Sequence, residues 1–167
     1  AVLGQLAAFD ATLLRTSLPA DEEARLRAAL APDIRLVITG DHGMVNVPQA
    51  SRLVVEDEPE LLQGVALLGG EGRLRQLYTE PGKQESVAAR WRDRLGATAW
   101  VVTRGEAFDL GWFGPSNARV ADRFGDVLVA MRNDGAVMSR TLAKELTLVG
   151  MHGSLTAAEM AVPLLVA

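Results

Sequence analysis

The run Ile34-Arg35-Leu36-Val37-Ile38 is almost uninterruptedly apolar and β-branched, and it stops at Thr39-Gly40-Asp41-His42-Gly43. Such a run predicts a strand over 34–39 that is covered on both faces, for which a parallel strand between helices is the usual setting. The flanking segments fit that setting. Val2, Leu3, Leu6, Phe9, Leu13 and Leu14 recur at helical spacing and predict an amphipathic helix over 2–17, which Pro19 ends. A second helix is expected over 21–30, with Asp21, Glu22 and Glu23 at the positive end of its dipole and Pro32 beyond it. Helix followed by buried strand implies an α/β layer.

Beyond the strand the chain must turn if Asp41 and His42 are to act together, because successive strand side chains point to opposite faces. Gly40 and Gly43 bracket the pair, and glycine lets a backbone bend sharply and approach an ion. Binding groups in open α/β sheets collect outside the carboxyl ends of strands, where this pair falls. A carboxylate beside an imidazole is a metal-ligating combination. The same residues also suit a plain polar turn in which Asp41 caps the backbone after it and His42 is simply exposed. Residue types alone leave both readings open.

The second of only two histidines, His152, lies in Gly150-Met151-His152-Gly153-Ser154. Thr156-Ala157-Ala158-Glu159 follows with the spacing of a capping box, then a short helix over 156–161 and the apolar tail Val162 to Val166. A solitary histidine is more often a hydrogen-bonded residue than a ligand. A role shared with His42 requires the intervening chain to fold out of the way.

That intervening chain reads differently. Val65 to Leu68 and Leu74 to Thr79 flank Gly69-Gly70-Glu71-Gly72 as a hairpin. A helix over 84–95 would turn Val87, Ala88, Trp91 and Leu95 inward, followed by a strand over Ala99 to Thr103 and a short helix over 104–110. The Gly111-Trp112-Phe113-Gly114-Pro115 loop comes next. Strands over 126–131 and 136–138 then enclose Asn133-Asp134-Gly135, whose residue types tolerate positive φ. The expected organisation is a core segment 1–52, an inserted small α+β subdomain 53–140, and a return to the core over 141–167.

Charge and composition exclude several classes. With 49% hydrophobic and 23% charged residues the chain has globular and not disordered proportions. Against 21 acidic residues stand 17 basic ones, unclustered, so a nucleic-acid scaffold is not an expected partner. No apolar stretch reaches the roughly 20 residues needed to span a bilayer, and a soluble protein is expected. The lack of a visible signal segment favours the cytoplasm without fixing the compartment. With no cysteine, disulfides, thiolate metal sites and thiol nucleophiles are excluded. The chain opens on Ala1 inside an uncapped helical pattern, which reads as a start within a larger domain.

Other polar residues rank lower. Asp57, Glu58 and Glu60 suit a hard cation but read first as a solvated helix start, and Arg73, Arg75 and Arg104 suit phosphate steering but read first as surface charges. Trp112 and Phe113 suit either stacking on a substrate or burial. Ser139 and Ser154 have no histidine at triad spacing beyond the metal candidates, which argues against a serine hydrolase.

Thr39-Gly40-Asp41-His42-Gly43-Met44, followed by His152-Gly153-Ser154-Leu155-Thr156 with Glu159, Met160 and Pro163, resembles the C-terminal half of the alkaline phosphatase superfamily. The branch it resembles most is the type I phosphodiesterase and nucleotide pyrophosphatase family. The resemblance implies an α/β/α sandwich fragment of alkaline-phosphatase type with the α+β subdomain inserted. It further implies two divalent metal ions, zinc with manganese also compatible, bound by Asp41 and His42 for one ion and His152 for the other. Hydrolysis of a phosphodiester or pyrophosphate in a small phosphate ester or nucleotide would proceed through a phospho-Thr or phospho-Ser intermediate. Two cations about 3.5–4 Å apart stabilise the attacking and leaving oxygens of such a displacement.

The family's Asp-x-x-x-His motif and nucleophile segment have no counterpart here. The resemblance therefore implies a C-terminal fragment that lacks the nucleophile and three of six metal ligands, needs the N-terminal part of its domain, and is inactive alone. No catalytic or nucleotide-binding residue is expected within it. The alternatives are a phosphomonoesterase or phosphomutase of the same superfamily, or a non-catalytic binding or structural α/β domain.

Overall fold

A computed structural model describes residues 20–29, 37–114 and 118–166. The helix expected over 2–17 and residues 30–36 lie outside the described residues. The chain divides into two units, residues 1–43 with 161–167, and residues 44–160.

In the first unit the second expected helix is present as α1 (Ala20–Ala29). The apolar run ends in β1 (Val37–Thr39), which pairs antiparallel with β10 (Leu164–Val166), Val37 opposite Val166 and Thr39 opposite Leu164. This corrects the expected parallel strand covered on both faces, since Val37, Ile38 and Thr39 are all exposed. The apolar run encodes an extended segment with high β propensity; the direction of its partner comes from the tail more than a hundred residues on, which local pattern does not carry. Pro163 packs on Gly40, with 3.4 Å between its Cδ and the place a Cβ would occupy.

The second unit is built on a four-stranded sheet in the order β4 (Val65–Glu71), β5 (Leu74–Thr79), β7 (Val127–Met131), β6 (Ala99–Thr103), with every neighbour antiparallel. The central strand β7 is buried at all five positions. The helix α2 (Gln84–Leu95) buries Val87, Ala88, Trp91 and Leu95, the four residues its periodicity turned inward. Trp91 has no exposed surface, and its indole N–H donates to the Leu61 carbonyl at 2.9 Å, so the ring is buried without an orphaned donor. The short helix α3 (Arg104–Asp109) starts at a capping box: the Thr103 hydroxyl accepts from the Glu106 N–H while the Glu106 carboxylate accepts from the Thr103 N–H.

Two turns differ from expectation. β4 continues through Gly69 and Gly70 to Glu71, so the hairpin turns at Gly72-Arg73. At Gly70, φ is +74° and an added Cβ would lie 2.4 Å from the Leu74 carbonyl oxygen; the glycines serve close strand approach and not the loop itself. β7 and β8 (Ala136–Met138) do not pair with each other. β8 runs parallel to β3 (Arg52–Val54), Leu53 opposite Val137. Asn133-Asp134-Gly135 makes a turn without positive φ: the Asn133 Oδ1 accepts the Gly135 N–H at 3.0 Å. A side chain that mimics a backbone turn lets the chain leave one sheet for another.

A smaller core of Val47, Ala136, Met138 and Met151 joins β8 to the pair β2 (Val45–Asn46) and β9 (Gly150–Met151). After the short helix α4 (Ala118–Ala121) and the strands β7 and β8, an irregular segment of tight turns, Arg140–Thr147, leads to β9, and α5 (Ala157–Met160) follows it. Because Trp91 fills the space between α2 and the sheet, Trp91→Ala is expected to lower stability by about 3–5 kcal/mol. Urea denaturation of the two proteins measures the difference.

Candidate metal centre

Asp41 and His42 lie in the turn after β1, and the turn orients both. The Asp41 Oδ1 accepts the His42 backbone N–H at 3.0 Å, as an aspartate does in any polar turn. The imidazole adds something more specific. Its Nδ1 is 2.8 Å from the Gly43 carbonyl oxygen, an acceptor only, so Nδ1 carries a proton and Nε2 is the ring nitrogen turned toward Asp41. That Nε2 is 3.6 Å from the Asp41 Oδ2.

Tetrahedral zinc with Zn–N and Zn–O bonds of about 2.0–2.2 Å holds two ligand atoms roughly 3.4 Å apart. The two atoms therefore stand at nearly the separation that one cation requires, and a backbone carbonyl on the other ring nitrogen is the common way to orient a ligating histidine. The Asp41 side chain is 88% exposed, so its carboxylate is accessible to an ion. The donor set, one carboxylate oxygen and one imidazole nitrogen, suits zinc and does not exclude manganese. Among the described residues no group of three or more His, Asp and Glu side chains is gathered about one point.

His152 belongs to the second unit and follows β9. It is half-buried beside a cleft of about 190 Å³ lined by Met44, Glu71, Leu148 and Met151 among others. Gly153 has φ +117°, and a Cβ there would come within 3.2 Å of the Glu71 Cβ, so glycine is required directly after the histidine.

The backbone beyond Gly153 is fixed by an ion pair that is almost wholly buried. The Arg73 guanidinium donates through Nε to the Glu159 Oε1 at 2.8 Å and through Nη2 to Oε2 at 2.7 Å, with 0% and 1% of the two side chains exposed. Glu159 also accepts the Ser154 N–H at 3.0 Å and the Thr156 hydroxyl. The remaining Arg73 nitrogen donates to the carbonyls of Gly135, at 2.7 Å, and Asn133. Burial pushes the Glu159 carboxyl up, but the hydrogen bonds from Arg73, Thr156 and Ser154 outweigh it and hold it below the ordinary glutamate value. Thr156 and Glu159 were expected to form a capping box; the Thr156 hydroxyl instead donates to a carboxylate that has turned into the core.

Compared with known proteins, the sequence matches the profile of type I phosphodiesterases / nucleotide pyrophosphatases over residues 21–155. The chain belongs to that family. No curated protein matches it. Among solved structures, the murine ectonucleotide pyrophosphatase / phosphodiesterase 5 has 20% identity and a TM-score of 0.60, covering 86% of this chain and 36% of its own. The human counterpart has 18% identity and a TM-score of 0.60 over the same shares. Phosphonoacetate hydrolase from Sinorhizobium meliloti 1021, in complex with phosphonoformate, has 20% identity and a TM-score of 0.63, covering 87% of this chain and 38% of its own. An inactive form of the murine protein is solved in complex with AMP. The chain has the mixed α/β, alkaline-phosphatase-like fold of these neighbours and spans little more than a third of their length. Among the described residues no helix is long and apolar enough to cross a membrane.

Within this family member, the residues that sequence reasoning missed are the buried charges. Arg73 and Arg75 were expected on the surface and have no exposed surface at all. Arg75 donates to the carbonyls of Val137, at 2.8 Å, and Gly70, at 2.7 Å, and pairs with Glu145. The signal was their i, i+2 spacing, Arg73 in the turn just before β5 and Arg75 within it, but nothing local named Glu145 and Glu159 as partners. Arg104 pairs with Asp126, also contrary to a purely surface role.

The remaining candidates are accounted for by packing. Asp57 pairs with Arg140 at 2.7 Å and Glu58 with Arg94, so two of the three acidic residues of the run are ion-paired. Phe113 stacks on Phe124, ring centroids 3.9 Å apart, and meets Phe108 edge-on at 5.3 Å, which commits Phe113 to an internal aromatic cluster. The Ser139 hydroxyl donates to Glu56 and the Ser154 hydroxyl to the Met131 carbonyl at 2.6 Å; neither is arranged as a nucleophile.

The depressed Glu159 pKa carries a pH dependence. A carboxyl that titrates lower when folded contributes stability that is complete above its unfolded value, about 4.3, and is lost as pH falls through the folded value. Carbon-detected titration of the side chain is expected to place its midpoint below that of ordinary glutamates. The urea midpoint of unfolding should fall over the same acid range.

Proposed function

We propose that this chain supplies Asp41, His42 and His152 to a two-metal phosphodiesterase or nucleotide pyrophosphatase whose nucleophile and remaining metal ligands lie elsewhere in the parent protein. The observation that carries the reading is the Asp41 Oδ2 to His42 Nε2 separation of 3.6 Å, with the ring oriented by the Gly43 carbonyl. Divalent cations, zinc foremost, would supply the positive charge that stabilises the attacking and leaving oxygens of an in-line displacement at phosphorus.

The chain's own residues do the holding. Asp41 contributes a carboxylate at its site, and His42 an imidazole whose Nδ1 is already committed to the Gly43 carbonyl. His152 would serve the second ion from its glycine-bounded turn. The nucleophile implied by the resemblance is a Thr or Ser that carries the phosphoryl group transiently, outside these 167 residues. The same reading takes 53–140 as a subdomain inserted into the core, in support of which the whole four-stranded sheet falls within that segment. The 167 residues alone then hydrolyse nothing, and the substrate of the parent is a small phosphate ester or nucleotide, a class in keeping with the AMP bound by the murine neighbour.

In the full-length parent, Asp41→Ala and His152→Ala are each expected to lower hydrolysis of a nitrophenyl phosphodiester by at least about 100-fold, with loss of bound zinc measured by elemental analysis. Diester hydrolysis faster than monoester hydrolysis supports the phosphodiesterase reading over a phosphomonoesterase or phosphomutase. Full activity and zinc content in both variants would sink it in favour of a non-catalytic domain.

A further inference from the structure

The buried pair is arranged for direction as well as for stability. Each Glu159 oxygen receives one Arg73 hydrogen bond and one from the segment after His152, from the Ser154 N–H on Oε1 and the Thr156 hydroxyl on Oε2. Arg73 is fixed in turn by the carbonyls of Gly135 and Asn133, and the Ser154 hydroxyl by Met131, so the β4–β5 and β7–β8 turns both close on the backbone two residues past His152. Gly153, at φ +117° and with the Glu71 Cβ 3.2 Å from where a Cβ would sit, leaves no room for a side chain between His152 and this anchored segment. An apolar pair of the same volume can match a buried ion pair in stability, but it offers the Ser154 N–H no acceptor.

We propose that Arg73 and Glu159 are positioning residues for His152, holding its imidazole in one orientation before a ligand is bound. This rests on the proposed metal role of His152 for its purpose, though the positioning itself can be read without metal. A site held by a rigid supporting shell keeps its ligands within a few tenths of an ångström of the productive geometry, and loosening that shell weakens metal binding.

The test replaces both partners at once, Arg73→Met with Glu159→Met, so that no buried charge is left unpaired. Circular dichroism first checks that the double variant melts near the wild type. In metal-free protein, the Ser154 amide is expected to exchange at least about tenfold faster, and the His152 ring signals in proton–nitrogen spectra to broaden or split. Zinc affinity of the full-length parent carrying the same substitutions should fall by about 10–100-fold. A folded double variant with unchanged Ser154 exchange and unchanged His152 signals overturns the proposal.

If the double variant does not fold, Thr156→Val decides, since it removes one of the four contacts to Glu159 and leaves the charges paired. Faster Ser154 exchange and altered His152 signals are then expected, and no change in either contradicts positioning. The His152→Ala parent separates the two claims: unaltered zinc uptake there removes the metal role, while the exchange and ring measurements still judge whether the pair orients His152.

Discussion

A guanidinium and a carboxylate with essentially no exposed surface, Arg73 and Glu159, hold together the turns of the larger unit. Removing either charge from water is strongly unfavourable, and the pair persists because four guanidinium N–H groups are donated in forked geometry and each carboxylate oxygen accepts two hydrogen bonds. Losing one partner of such a pair typically costs about 3–5 kcal/mol, because the other is left buried and uncompensated. The pair thereby ties the β4–β5 turn, the β7–β8 turn and the segment around α5 into one arrangement. A hydrophobic contact would stabilise those turns without specifying how they meet.

Directional polar contacts also govern the other half of the chemistry. In the turn after β1 the carbonyl of Gly43 holds the Nδ1 of His42, and Asp41 divides its two oxygens between the turn and the ring. Each histidine of the chain is followed by a glycine. His42 is oriented by its two neighbours, whereas the backbone after His152 is held by residues distant in sequence.

Local pattern made much of this legible. The inward face of α2 was read from its spacing, and the strands at 99–103 and 136–138 from their β-rich runs, because burial of an amphipathic face follows from a few contiguous residues. Asp41 and His42 stood out for a similar reason, since the glycines that shape their turn are adjacent to them. What remained hidden depends on pairing across the chain: the antiparallel partner of β1, the separate destinations of β7 and β8, and the acceptors for Arg73 and Arg75. An arginine carries the same local signal whether it faces water or a buried carboxylate. The Thr156-x-x-Glu159 spacing misled because the carboxylate found a stronger partner in a buried guanidinium than in the first turn of a four-residue helix.

The central claim is that Asp41 Oδ2 and His42 Nε2 face one cation. Anomalous diffraction at the zinc edge, from crystals of the full-length parent grown with zinc, tests it most directly. The account predicts a zinc peak within about 2.0–2.2 Å of both atoms, with the His42 Nδ1 still donating to the Gly43 carbonyl. A zinc ion coordinated through Nδ1, or no zinc near either side chain in an active enzyme, contradicts it.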